Sequence, residues 1–291
     1  MDNLRGATIM VLAMLGFAVE DAVIKLLAGA MPLGQVIGFL GLGGAAVFAI
    51  LCRMQGQSLW DRAFLAPPIL LRNLAELIGT LGFVTAIALI PLSTASAILQ
   101  AAPLLVTLGA ALFLGEDVGW RRWAAILTGF VGVLLIIRPG TQGFDWLSLF
   151  AVQGVVGLAI RDLATRRVKP VVSSLQLSFM AFLMLVPASA ILLYAGGIVP
   201  ITPTVAQTMY LIAAVFIGAL SYYGITYAMR IGEIGFVTPF RYSRMIFALI
   251  IGVTFFGETP GLLTLIGAAI IILSGLYTLW REQIVKRGAA A

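Results

Sequence analysis

Glu20, Glu76, Arg241 and Arg244 stand inside long apolar runs of the sequence. A charge in such a run is costly to bury, and by default it marks an internal pathway or a bound solute. An arginine there offers a fork of donors to a substrate carboxylate. A glutamate there can receive an amine or a proton. Asn73, Glu76, Thr80 and Phe83 follow one another at spacings of 3, 4 and 3, which is one face of a helix. Ser93, Ser96, Gln100, Pro103 and Thr107 make a second polar stripe. Tyr222 shares a face with Thr226, and Tyr242 with Thr238 and Met245. Together these faces describe a cavity walled by aromatic rings with a few hydrogen-bonding groups, which suits an amphipathic solute. The competing reading is helix packing through small and hydroxylated residues.

Depth separates the charges. Glu76, Arg241 and Arg244 lie about 10–15 Å from one membrane surface at 1.5 Å per residue. A Glu76–arginine pair between the third and ninth helices is therefore expected, either as a fixed bridge or as the receiver of a substrate. Arg72, Arg161, Asp162 and Lys25 lie nearer the surfaces, where long side chains can snorkel to water. Glu20 and Asp21 are adjacent, so they stand about 100° apart on a helix and cannot face a cavity equally. Glu116 and Glu258 end apolar helices and are expected to bond within the adjoining turns. Pro103 and Pro239 interrupt apolar stretches. Proline kinks a helix, and the two kinks are candidate hinges.

Other chemistry is excluded. The 291 residues contain no histidine and one cysteine. His-ligated metals, Ser-His-Asp triads, a histidine relay and an internal disulfide are all impossible. No cofactor and no metal is expected. Cys52 reads as a small buried apolar group. Gly41-Leu42-Gly43-Gly44 follows no strand and opens no phosphate site, so the glycines from Gly38 to Gly44 are read as helix packing.

These side chains must be positioned by a membrane-embedded scaffold. The chain is 61% apolar and 10% charged, against about 45–50% and about 25% for soluble domains. Charge-free intervals place ten spans at roughly 5–28, 33–53, 66–89, 93–114, 120–137, 145–165, 171–194, 205–229, 234–256 and 262–281. Arg5, Arg53, Arg62, Arg121, Arg122, Arg166, Arg167, Lys169, Arg230, Arg281, Lys286 and Arg287 then fall on one side. Only Lys25 and Arg138 fall near the other. This asymmetry predicts both termini in the cytoplasm and accounts for the net charge of +6 without a nucleic-acid partner.

The two halves repeat. Leu114-Gly115-Glu116 matches Phe256-Gly257-Glu258 at an offset of 142, which also pairs Gly82 with Gly224 and Ala86 with Ala228. An offset of 141 pairs Asp21 with Asp162 and Lys25 with Arg166. Residues 1–140 and 141–291 thus form two five-helix units, the second with a short cytoplasmic tail. Five is odd, so the second unit is inverted in the bilayer, an arrangement tied to alternating access.

Several stretches resemble the drug/metabolite transporter superfamily in its ten-span EamA branch, close to exporters of aromatic and other neutral amino acids of the YddG type. They are Pro91-Leu92-Ser93-Thr94-Ala95-Ser96-Ala97 with Ala102-Pro103-Leu104, Leu112-Phe113-Leu114-Gly115-Glu116, and Gly129 to Ile136 followed by Arg138-Pro139-Gly140. The second half adds Phe256-Gly257-Glu258 and Gly267-Ala268-Ala269. The resemblance implies an all-α membrane protein with two inverted five-helix repeats around a central cavity. Helices 1–4 and 6–9 would surround it, with helices 5 and 10 at the periphery. Many relatives carry an arginine in the second span, whereas Gln35 to Leu51 has no charge here.

The expectation is a multi-pass protein of the bacterial inner membrane that moves small amphipathic metabolites outward. Aromatic and other neutral amino acids come first, carried by Glu20, Asn73, Glu76, Thr80, Phe83, Gln100, Tyr222, Arg241, Tyr242 and Arg244. Its partners are the solute and the bilayer; a proton on Glu20, Asp21 or Glu76 is a candidate coupling ion, and a monomer suffices. Nucleotide-sugar or phosphorylated-metabolite exchange on the same fold would want more deep cations than Arg241 and Arg244. A membrane enzyme on a lipid-linked substrate would want clustered catalytic groups.

Overall fold

The computed structural model describes residues 2–115, 119–169, 171–232 and 234–290, except the side chains of 230, 234, 235, 282, 283 and 285–290. The described residues form helices and turns and no strand. Ten segments are long and apolar enough to cross a bilayer. Span 1 is Asn3–Ala28, span 2 Leu33–Met54, span 3 Pro67–Leu89, span 4 Leu92–Phe113 and span 5 Trp120–Ile137. Span 6 is Ser148–Arg166, span 7 Ser174–Gly196, span 8 Val205–Met229, span 9 Thr238–Phe256 and span 10 Leu262–Arg281. In hydrocarbon no water satisfies backbone groups, so helices are the form this apolar sequence must take.

Local chemistry sets the ends. The Asp2 carboxylate accepts from Arg5 N at the start of span 1. Ser173 with Gln176 and Thr204 with Gln207 build capping boxes at the starts of spans 7 and 8. Gly197 and Gly257, at φ of 57° and 62°, close spans 7 and 9 in the left-handed region that glycine tolerates.

Span pairing carries the symmetry of the repeat. Span 1 packs most extensively on span 8, and span 6 on span 3. Those pairs exchange when spans 1–5 are swapped with spans 6–10. Spans 2 and 7, 4 and 9, and 5 and 10 pair with their own equivalents. The seams are lined by small residues, which allow close backbone approach. A β-carbon at Gly157 would stand 2.5 Å from the Gly79 backbone, and one at Gly132 would stand 2.6 Å from Gly267 O. Gly34, Gly38, Gly41 and Gly44 lie against span 7, as packing glycines should.

Spans 4 and 9 are interrupted. Span 4 is two helices, Leu92–Leu99 and Ala102–Phe113, with Pro103 in the first turn of the second. Span 9 opens as a 3-10 helix, Thr238–Tyr242, which holds Pro239 and precedes the α-helix Ser243–Phe256. Each proline therefore starts a helical segment instead of kinking a continuous one. Gln100 Nε2 donates to Tyr242 O at 3.3 Å. These residues are 142 positions apart, the repeat offset, so the two interrupted spans meet at equivalent points. Pro187 lies inside span 7, which continues as one helix through it.

Candidate functional site

Two polar nodes form in the bundle, each joining spans of both repeats. The first is centred on span 1 and span 9. Arg244 Nη2 donates to Asp21 Oδ1 at 2.8 Å and Oδ2 at 2.6 Å, and its Nε donates to Oδ2 at 3.1 Å. The same guanidinium lies 5.0 Å from the Phe17 ring centroid and 5.3 Å from that of Phe83. Two phenyl rings and a carboxylate thus fix Arg244, combining cation–π contact with charge-assisted bonds. Glu20 is buried beside this node, against Gly218, where any side chain would collide with its carboxylate. Among the described residues Glu20 makes no hydrogen bond or ion pair.

The second node joins spans 3, 6 and 8. Arg161 Nη1 lies 3.3 Å from Glu76 Oε2, and Arg161 Nη2 lies 2.9 Å from Asp162 Oδ1. Arg72 is only 2% exposed. It donates to Asn73 Oδ1 at 3.0 Å and Tyr222 Oη at 3.3 Å, and approaches Glu76 at 3.8 Å. Tyr222 packs on Phe48 and Phe182, with ring centroids 6.1 and 5.7 Å away. An aromatic cluster, in which Tyr222 meets both phenyl rings edge to face, therefore adjoins a buried arginine in this node also.

The structure redistributes the residues singled out in the sequence. Glu20, Phe83 and Arg244 meet in the first node, and Asn73, Glu76 and Tyr222 in the second. Gln100 and Tyr242 stand at the crossing of the interrupted spans. The Tyr242 hydroxyl there is buried with no hydrogen-bond partner in the described structure. Thr80 is half-buried on span 3, and Arg241 is half-buried in the 3-10 segment without an ion pair among the described residues. Three expectations are corrected. Glu76 pairs with Arg161 and Arg72, not with span 9, because span 3 packs on span 6. Arg72 does not snorkel to water; its Nη1 and Nη2 donate inside the bundle, while its Nε is buried with no hydrogen-bond partner among the described residues. Asp21, the neighbour of Glu20, takes the arginine of span 9.

A further correction concerns Glu258, which reaches far beyond its adjoining turn. Its carboxylate accepts from Leu92 N at 2.5 Å, Ser93 N at 3.0 Å and Ser93 Oγ at 2.7 Å. It thereby caps span 4 from the end of span 9. Lys25 Nζ donates to Ile90 O at 2.6 Å and Ile87 O at 3.1 Å, and lies 3.9 Å from Glu258. Spans 1, 3, 4 and 9 are clasped together on the face opposite the N-terminus. Glu116, the repeat equivalent of Glu258, lies outside the described residues. Sequence reasoning missed this clasp, although the paired Gly-Glu motifs were the signal for it. Cys52 is fully buried, as a small apolar group would be.

Two five-helix copies, interrupted helices that cross at equivalent points, and polar nodes shared between the copies are the architecture of inverted-repeat transporter folds. The chain belongs to the EamA-like transporter family, whose model matches residues 4–138 and again 145–280. It is 29% identical over 290 residues to the riboflavin transporter of Vibrio cholerae, covering 98% of this chain and 96% of that protein. It is 27% identical to the S-adenosylmethionine uptake transporter of Rickettsia bellii, covering 74% of this chain and 72% of that one. It is 26% identical to the pseudopaline exporter CntI of Pseudomonas aeruginosa, covering 92% and 94%. The protein is thus a multi-pass membrane protein of a transporter family for small metabolites.

Proposed function

We propose that this protein carries a small, overall neutral metabolite with a planar ring and a polar arm across the membrane by alternating access. One observation carries the reading. Arg244 is held between Phe17 and Phe83 by Asp21, on spans of both repeats. A planar solute can slide against these rings, and its polar arm can compete for the guanidinium. With Glu20 as its carboxylate, the charges of the two nodes and of Arg241 balance, Arg72, Arg161, Arg241 and Arg244 standing against Glu20, Asp21, Glu76 and Asp162. That balance favours a neutral or zwitterionic solute over a nucleotide sugar or a sugar phosphate. Riboflavin fits the class, as the name of the Vibrio relative suggests, and aromatic amino acids fit it too.

The nodes are packed shut, so solute entry requires one repeat to move against the other, with Pro103 and Pro239 at the breaks. The solute gradient, with a proton on Glu20 as the candidate coupling ion, supplies the drive. Outward movement follows the resemblance to exporters, while the relatives' names include both an uptake transporter and an exporter. Glu20, buried and without a cation of its own, is the residue on which a proton would travel. The arginine asymmetry supports residence in a bacterial inner membrane with both termini in the cytoplasm. The repeats divide near residue 140, and a monomer holds the complete site.

Flavin fluorescence tests the assignment. Riboflavin titrated with purified protein should be quenched saturably. Tryptophan should compete, and leucine or a sugar phosphate should not. Arg244→Lys keeps the charge but loses the stacked fork, and should weaken binding about tenfold. Quenching unaffected by Arg244→Lys would remove the first node from the site. Transport of leucine without riboflavin or tryptophan would overturn the solute class.

A further inference from the structure

A groove of about 440 Å³ runs between spans 5 and 10, well away from both polar nodes. Its mouth holds Trp120 and Arg121 at the start of span 5, and its walls descend past Ala124 and Thr128 on one side and Leu273 and Ile270 on the other. From Trp120 to Thr128 is about 12 Å along the helix, deep enough to pass from headgroup level into acyl-chain level. A second concavity of about 100 Å³ adjoins the mouth and is lined by Gly119, Trp120, Arg121, Arg122 and Arg281. Among the described residues no acidic side chain lines either concavity. Arg121 is exposed and stacks over Trp120 at 5.4 Å. Exposed Trp120 and Trp280 stand at this end of the two spans, where interfacial aromatic side chains belong.

We propose that this groove holds one anionic phospholipid, with its phosphate against Arg121 and Arg281 and an acyl chain along the apolar wall. Charge and depth together choose the occupant. Arginine forks suit a phosphate, and basic pockets between membrane helices on this face recruit anionic headgroups. The wall below them offers only apolar and hydroxyl groups, which an acyl chain fills and a free phosphate does not. Spans 5 and 10 form a pair of their own through Gly132 and Gly267, so the lipid would brace that pair against the bundle. The proposal is independent of which solute the polar nodes carry.

Native mass spectrometry tests it with intact protein purified in equimolar dioleoylphosphatidylglycerol and dioleoylphosphatidylcholine. The wild type should retain the phosphatidylglycerol preferentially. Arg121→Gln with Arg281→Gln should cut that preference about fivefold per arginine. Arg53→Gln with Arg62→Gln, on the same face but outside the groove, should leave it unchanged. Ala124→Trp keeps the arginines and fills the groove, and should also lose the bound lipid while eluting as a monodisperse protein. Glycerol 3-phosphate at millimolar concentration should not displace the lipid; displacement would assign the site to a free phosphate ester instead. Equal retention of the two lipids by the wild type, or an unchanged preference in the double variant, overturns the proposal.

Discussion

Replacing Glu258 with glutamine should open the bundle on the face away from the N-terminus. The carboxylate there accepts from two backbone N–H groups at the start of span 4 and from the Ser93 hydroxyl. Hydrogen bonds to a charged group contribute about 1.5–3 kcal/mol each before coupling. A helix cap contributes about 1 kcal/mol, and a negative charge at a helix N-terminus about 0.3–1 kcal/mol. Glutamine keeps one acceptor oxygen and loses the charge, so about 2 kcal/mol of the clasp is lost. That is about thirtyfold in the equilibrium between closed and open faces. The assay uses Ala97→Cys, one turn below Ser93 and fully buried, in a Cys52→Ala background that has no other thiol. A membrane-impermeant maleimide applied from that face should label Ala97→Cys slowly. Adding Glu258→Gln should raise the rate by about thirtyfold. An unchanged rate in protein that remains folded would refute the clasp, as would fast labelling before Glu258 is altered.

Other consequences follow from the packing. Asp21→Asn or Arg244→Gln alone leaves an uncompensated buried charge and should cost about 3 kcal/mol in detergent unfolding. The double exchange should recover at least half of that, and strict additivity would contradict the pairing. Gly157→Leu should prevent spans 3 and 6 from closing and abolish monodisperse protein, because the Gly79 backbone occupies the space. Gly119→Ala should be neutral, since nothing lies within 4 Å and φ is −64°. If protons drive transport through Glu20, the pH-gradient dependence of flux should vanish in Glu20→Gln while binding of riboflavin persists.

The spans were legible because apolar length and charge spacing report membrane crossing directly, and every expected span overlaps its helix with ends that differ by a few residues. The inverted repeat was legible because two Gly-Glu motifs share one offset. Which helix faces which was not. Nothing local to Glu76 says that Arg161, 85 positions on, is its partner, or that Arg72 turns inward. Symmetry held the missing rule: once span 1 packs on span 8, span 6 must pack on span 3. Glu258 was misread for the same reason. Its partners lie 165 and 166 positions away, and helix-end chemistry alone points to the nearest turn.

Counterflow in sealed proteoliposomes tests the central claim most directly. In alternating access, a loaded site returns faster than an empty one. Vesicles preloaded with unlabelled riboflavin or tryptophan should take up the labelled solute saturably, and faster than empty vesicles. Flux that rises linearly with concentration and ignores the preload would describe a channel. It would contradict the reading of two repeats that move about the crossing of spans 4 and 9.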